Sequence, residues 1–189
     1  KLNLRGVLPE GVTGKDVIVA LCGIFGSDAL NHSVEVAGSE ETLSSIRVED
    51  RMTISNMSTE WGALSLMFEP DETLRRWMKG KASEAAMLDL PCAERFRHDR
   101  IDEFFEDPLR ADPRAQYSKE LYLDLSTLSP YVSGPNSVKI STPLAELAAQ
   151  KIPVNKCYIG SCTNSRSTDL RAAADVLRAA AKENGDVVP

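Results

Sequence analysis

The chain has little of what secreted, membrane-spanning or nucleic-acid-binding proteins require. Its 189 residues include four scattered cysteines, which do not form a disulfide framework and therefore indicate a reducing compartment. A net charge of −6 without a basic stripe argues against an extended phosphate-binding surface. No apolar run approaches a membrane span in length, and residues 1–13 lack the apolar core of a signal peptide.

What remains is typical of a globular protein, with 42% apolar and 26% charged residues. The first residue is Lys1 rather than Met, so we expect the natural N-terminus to lie upstream. The length allows one or two domains. No internal repeat is evident in the sequence.

The hydrophobic periodicity predicts a mixed α and β chain. Thr13 and Asp16 form a predicted capping box for a helix that ends at Phe25. From 80 to 117 the pattern loosens into a predicted surface excursion with one short amphipathic turn near residues 101–105. The other predicted elements are a strand at 32–36, a short helix at 39–46, helices at 51–68 and 71–79 separated by Pro70, a strand at 120–125, and loops between 129 and 143.

Residues 153–182 are predicted to form a strand, a turn and a helix, with Cys162 on the turn. Residues 152–159 are mostly apolar, Gly160 permits a sharp turn, and Leu170, Val176 and Leu177 recur at helical spacing. Such turns are common ligand sites in open α/β sheets. The residues alone leave three roles open for Cys162: a metal thiolate, a nucleophile or an inert buried thiol. Cys157 is predicted to be a buried apolar residue of the strand.

Asn56 and Glu60 are spaced by four residues on the predicted helix 51–68, so both would lie on one helix face. That spacing suits two groups that converge on one site. A glutamate on a helix is otherwise usually solvated.

Three polar residues follow Cys162. Asn164 and Ser165 could donate hydrogen bonds to a bound group or cap the next helix. Arg166 could pair with a substrate carboxylate or extend into solvent.

Two segments resemble signatures of the aconitase family of iron–sulfur hydro-lyases. They are GSCTNSR at 160–166 and TISNM at 53–57, the latter followed by Glu60 and a Gly-Ala pair at 62–63. The resemblance implies that Cys162 is one of three thiolate ligands of a [4Fe-4S] cluster, the other two being a Cys-x-x-Cys pair beyond Pro189. It also implies that Glu60 is the active-site glutamate near the open iron and Asn56 the asparagine close to the cluster, with Asn164, Ser165 and Arg166 around the cluster or substrate.

The resemblance also implies a fold and a domain organisation. We expect residues 1–118 to be an aconitase-like three-layer α/β/α domain, the second domain of the family's large subunit. Residues 119–189 would then be a linker and the incomplete start of a similar third domain, which bears the cluster. The chain would be a piece of a larger enzyme.

The function implied is dehydration and hydration of a small tricarboxylic acid. Segments 60–65 and 121–139 look most like those of the fungal members that act on homoaconitate in lysine biosynthesis. This resemblance implies that the protein lies in the mitochondrial matrix. We expect a monomer with no nucleic-acid or membrane partner. The catalytic base, the arginines that clamp carboxylates and the upstream histidines would come from other domains, so this chain alone is expected to be inactive. The alternatives are relatives acting on citrate/isocitrate or isopropylmalate, and a non-catalytic interaction domain.

Overall fold

The computed structural model describes residues 1–185 and divides the chain into two compact units, Lys1–Ala149 and a second that begins at Gln150. The first unit contains a four-stranded sheet, a small hairpin and seven α-helices. Its elements are β1 (Leu2–Arg5), α1 (Gly14–Phe25), β2 (Ser33–Ala37), α2 (Glu40–Ser44), α3 (Val48–Asn56), α4 (Ser58–Trp61), β3 (Ser65–Phe68), α5 (Glu72–Met87), α6 (His98–Glu106), β4 (Leu121–Asp124), β5 (Tyr131–Ser133), β6 (Ser141–Pro143) and α7 (Leu144–Ala148).

The sheet has the order β3-β2-β1-β4, and all of its neighbouring strands are parallel. Parallel strands require crossover connections, and helices supply them here. A parallel sheet flanked by helices confirms the α/β fold class. The core lies between the inward side chains of the strands and helix α1, whose residues 17–22 are all buried.

Helix α1 begins where the sequence predicted. Thr13 is the N-cap, and its amide and hydroxyl both donate to Asp16 Oδ2 at 2.8 Å, which confirms the capping box. Gly26, with φ of 50°, ends the helix after Phe25. The predicted strand at 32–36, the short helix after Ser39 and the strand at 120–125 are also present, as β2, α2 and β4.

The predicted helix 51–68 is wrong in its second half. Helix α3 ends at Asn56, the single turn α4 follows, and residues 65–68 form strand β3. Gly62, with φ of 97°, ends α4 in the left-handed conformation that glycine adopts without strain. Leu66 then pairs in register with Val34 of β2, so the strand gains a hydrogen-bonded partner that a continued helix would lose.

Two further segments differ from the predictions. Helix α5 runs to Met87 rather than ending near Lys79, because Ala82 and Ala85 are buried and prolong its packed face. The predicted loops at 129–143 contain the antiparallel hairpin of β5 and β6. Short strands bounded by prolines carry little signal in the sequence.

The boundary between units differs from the predicted domain boundary. Strand β4 pairs with β1 through four residues, so the sheet of the first unit extends beyond residue 118. The contacts divide the chain after Ala149. Assignment of 119–189 to a linker and a third domain stays a prediction.

The second unit, in its described part, contains helix α8 (Ser167–Glu183) and the turn before it. Helix α8 confirms the prediction, and Leu170, Val176 and Leu177 on it are exposed. The predicted strand 152–159 is wrong, because these residues are exposed and adopt no regular structure. A strand requires a neighbour for its backbone hydrogen bonds, and residues 150–185 contain none. Within residues 1–185, no helix is both long and apolar enough to cross a membrane.

Candidate functional site

Asn56 and Glu60 lie on either side of a break between two helices. Asn56 is the last residue of α3, Met57 interrupts the helix with φ −86° and ψ 10°, and Glu60 lies in α4. The prediction that one continuous helix carries both residues is therefore wrong. Both side chains are exposed, which confirms the prediction that they lie at the surface of this chain.

The residue next to Glu60 anchors it to the core. Trp61 is fully buried, and its ring lies 6.4 Å from that of Phe25 at the end of α1. The backbone beyond it is tied to the start of β2, since Asn31 N donates to Gly62 O at 2.9 Å. Glu60 is thus a solvent-facing carboxylate on a short helix whose position is fixed.

This anchor places Glu60 near the edge of the sheet where β2 and β3 begin. Leu64 N donates to His32 O at 2.9 Å, directly before both strands. Open parallel sheets usually bind ligands at the opposite edge, where the strands end. A site at Glu60 would therefore use the less common edge.

Cys162 lies on a turn four residues before the N-cap of helix α8, and its side chain is exposed. This placement confirms the cysteine-bearing turn, and the thiol is not buried in it. Its Sγ lies 4.0 Å from the hydroxyl of the buried Thr163. Ser161, which precedes Cys162, has φ of 87°, a value that non-glycine residues rarely adopt. The predicted burial of Cys157 is wrong. Its segment forms no strand that could pack against a core, and the side chain is exposed.

Ser165 and Arg166 form hydrogen bonds back to the turn that carries Cys162. Arg166 is the N-cap residue of α8, so Asn164 and Ser165 do not cap it. Arg166 donates from its amide to Asp169 Oδ2 at 3.0 Å and from Nη1 to Thr163 O at 2.8 Å. Ser165 Oγ donates to the carbonyl of Ser161.

Asn164 contains a buried side-chain oxygen without a hydrogen-bond partner. Its Nδ2 lies 3.5 Å from Asp169 Oδ1, whereas Oδ1 has no partner in the described structure. Buried polar atoms are normally paired. An exposed thiol and an unsatisfied buried oxygen, two residues apart on one turn, are features expected where a further group completes a site.

Few side chains in the described part of the chain could act together as metal ligands. Among residues 1–185, no three His, Cys, Asp or Glu side chains are grouped so that they could hold a metal ion. A cubane cluster is normally held by three or four thiolates. The turn therefore fits a cluster only as the source of one ligand.

The sequence matches one protein family over its whole length. The profile of the aconitase family, described as aconitate hydratase, matches residues 1–151 and 145–189. The chain therefore belongs to the aconitase family. It is 58% identical over 196 residues to "Homoaconitase, mitochondrial" of Emericella nidulans, which covers 100% of this chain and 25% of that protein.

Two further relatives have the same name. The protein from Aspergillus niger is 58% identical over 196 residues, covering 100% of this chain and 26% of that protein. The protein from Candida albicans is 49% identical over 179 residues, covering 94% and 26% respectively. The chain thus spans about a quarter of the length of the curated relatives that it matches.

Proposed function

We propose that the chain is part of a hydro-lyase that interconverts homoaconitate and homoisocitrate in lysine biosynthesis. The observation that carries the proposal is the 58% identity, over the whole chain, to a protein named homoaconitase. The mitochondrial location in the names of these relatives supports the mitochondrial matrix for this protein as well. Because the chain is a quarter of its relatives' length, the reaction belongs to the larger protein.

Cys162 is proposed to supply one of three thiolate ligands to a [4Fe-4S] cluster. Its exposure on a turn gives the thiol access to a bound group, and the unsatisfied Asn164 oxygen lies on the same turn. When bound, the cluster would supply a Lewis acid for the substrate hydroxyl. Ser165 and Arg166 are proposed to hold the turn in shape beside it, as their hydrogen bonds within the turn support.

Glu60 and Asn56 are proposed to act on the substrate. The exposed carboxylate of Glu60 can hold or accept a proton, and the Asn56 amide can both donate and accept hydrogen bonds. The buried Trp61 keeps Glu60 in place, so that its proton transfer would not depend on ordering a flexible segment. The base that removes the substrate proton is proposed to come from another domain.

The test uses the full-length protein with Cys162→Ser and a matched control, Cys157→Ser, in the same exposed segment. After anaerobic reconstitution, the wild type and the Cys157 variant should contain the cluster and hydrate homoaconitate. The Cys162 variant should lose both while keeping the melting temperature of the cluster-free wild type. Full cluster content in the Cys162 variant would refute the ligand assignment.

Substrate choice is tested separately with homoaconitate, cis-aconitate and isopropylmaleate. A kcat/KM highest for homoaconitate supports the proposal, whereas preference for either other substrate selects an alternative member of the family. The 189-residue chain by itself should bind no stoichiometric cluster, since one thiolate of three is present. Absorbance and iron analysis after reconstitution check this.

A further inference from the structure

The four-stranded sheet of the first unit has a second face, on the side away from the core. Alternate residues of all four strands are buried in the core, and side chains along a strand alternate between the two faces. The intervening residues therefore project from the second face. Asn3 lies beside Tyr122 there, and Glu35 lies beside Met67.

Two large side chains of the second face are open to solvent. Met67 is 51% exposed and Tyr122 is 64% exposed. Parallel sheets occur almost only with both faces covered, because the crossover connections between their strands place helices on the faces. The second face is therefore more open than a parallel sheet normally is in a complete protein.

The connection from α6 to β4 covers part of the second face. Ala111 N donates to Glu69 Oε1 at 3.2 Å directly after β3, and the Tyr117 hydroxyl donates to Glu35 Oε2 at 2.5 Å. Residues 107–120 contain neither helix nor strand, although a crossover between parallel strands is usually helical. A single extended segment is narrower than a helix and covers less of the sheet.

A groove of about 420 Å³ lies between this connection and strands β2 and β3. Leu109, which lines it, is one of the most exposed apolar side chains of the first unit. Contiguous exposed apolar side chains mark surfaces that bind another structure. The groove is lined mainly by apolar residues: Met67, Phe68, Pro70, Leu109 and Ala111.

The polar groups of the second face already have partners. The Glu35 carboxylate accepts the hydroxyl of Tyr117. Glu120 Oε2 accepts from the Tyr122 hydroxyl at 2.8 Å and from Asn3 Nδ2 at 3.3 Å. An apolar surface can therefore cover this face without leaving these donors unpaired.

The length of the protein indicates what covers the second face. The chain spans 25% of the relative from Emericella nidulans, so about three quarters of a protein of that length lies outside it. In α/β proteins the cover of a parallel sheet usually comes from the polypeptide that forms the sheet.

We propose that a segment of the same polypeptide, outside these 189 residues, packs on the second face and fills the groove with apolar side chains. Met67, Leu109 and Tyr122 form the centre of this contact. The contact does not depend on which acid the enzyme acts on, so its test is independent of the proposed reaction.

The first test measures access to the second face in the full-length protein. Met67→Cys and Tyr122→Cys are treated with a thiol reagent, the labelled peptides are quantified by mass spectrometry, and each rate is compared with that of the same variant unfolded in urea. A covered face should slow both by about 100-fold or more, because labelling then requires local opening. Met87→Cys, at an exposed methionine that ends α5, is the matched control and should label nearly as fast as in urea.

The second test identifies the segment that covers the face. p-Benzoylphenylalanine replaces Tyr122 in the full-length protein, and mass spectrometry identifies the cross-linked peptide after irradiation. This peptide should come from outside residues 1–189. An equal mixture of isotopically light and heavy protein separates links within one copy from links between two copies.

Labelling of Met67→Cys and Tyr122→Cys at the rate of the control would show an open face and overturn the proposal. Cross-links confined to residues 1–189, or links that join two copies, would also overturn it. Circular dichroism and thermal melts check that each variant is folded. The two cysteine positions lie on different strands, β3 and β4, so the test remains decisive if one variant does not fold.

Discussion

Replacement of the buried Arg51 by Met should destabilise the first unit more than replacement of any of its exposed cations. The Arg51 side chain is 6% exposed and joins three segments. Its Nη1 and Nη2 bind the two oxygens of Asp71 at 2.8 and 2.7 Å, Nη2 also donates to Leu43 O at 2.7 Å, and Nε donates to Ile46 O at 3.1 Å.

The magnitude follows from what the substitution leaves behind. Ile46 O, Leu43 O and the Asp71 carboxylate each lose a guanidinium donor, although Leu43 O keeps the Ile46 amide and Asp71 Oδ1 keeps the Leu74 amide. Breaking a buried pair costs about 3–5 kcal/mol. Asp71 is 26% exposed, so water partly replaces the lost contact. We therefore expect a loss of about 3 kcal/mol in the free energy of unfolding, and a fall of about 6–12 °C in Tm.

Arg97→Met is the matched control. Arg97 also forms an ion pair within the first unit, with Asp99, but the two side chains are 53% and 60% exposed. Exposed pairs contribute less than about 1 kcal/mol, so this variant should be close to the wild type. Urea unfolding followed by tryptophan fluorescence reports on the relevant unit, because both tryptophans, Trp61 and Trp77, lie in it.

The contribution of Asp71 to the free energy of unfolding depends on pH with a defined sign. Burial opposes ionisation of Asp71, but the hydrogen bonds from Arg51 and the Leu74 amide outweigh it and lower the pKa below 3.8. A depressed folded pKa contributes stability that is present above pH 3.8 and is lost as the pH falls through the lowered value. The difference between wild type and Arg51→Met should shrink over that range. A loss below about 1 kcal/mol at neutral pH, or equal losses in both variants, would refute the reasoning.

Three further predictions concern single residues. Gly62→Ala should lower the free energy of unfolding in urea by about 1–2 kcal/mol, because Gly62 has a left-handed φ. Gly80→Ala, in open space on helix α5, should raise it by up to about 1 kcal/mol. A change of the same sign and size in both variants would contradict the backbone conformation at Gly62. A thiol reagent at pH 8 should label Cys92, Cys157 and Cys162 quickly, because these side chains are exposed. Cys22 should react only on unfolding, because its thiol is buried and its pKa is raised to about 11. Fast labelling of all four cysteines would contradict the packing of α1 in the core. In the full-length protein, Glu60→Gln should lower kcat about 10²- to 10⁴-fold without changing Tm, since the side chain is exposed; a fall in Tm with normal kcat would make Glu60 a structural residue.

The sequence by itself determined the features that depend on a few neighbouring residues. The capping box of Thr13 and Asp16, the turn at Cys162 and helix α8 each follow from contacts within about one turn of helix, and local propensity is sufficient to predict them. The family segments around Asn56, Glu60 and Cys162 were also visible, because they are contiguous.

Only the tertiary structure decided the features that depend on distant partners. Residues 65–68 become a strand because Val34 lies opposite Leu66, and no pattern within 51–68 contains that information. Residues 152–159 have strand composition but no neighbour in the described part of their unit, so they form none. The hairpin of β5 and β6 lies against α1, since Tyr131 N donates to Asp16 Oδ1 and Ser141 lies beside Gly23, although these residues are more than a hundred positions apart in the chain. Backbone pairing and packing of side chains across such separations arise from the folded chain as a whole, which is why they could be read only from the structure.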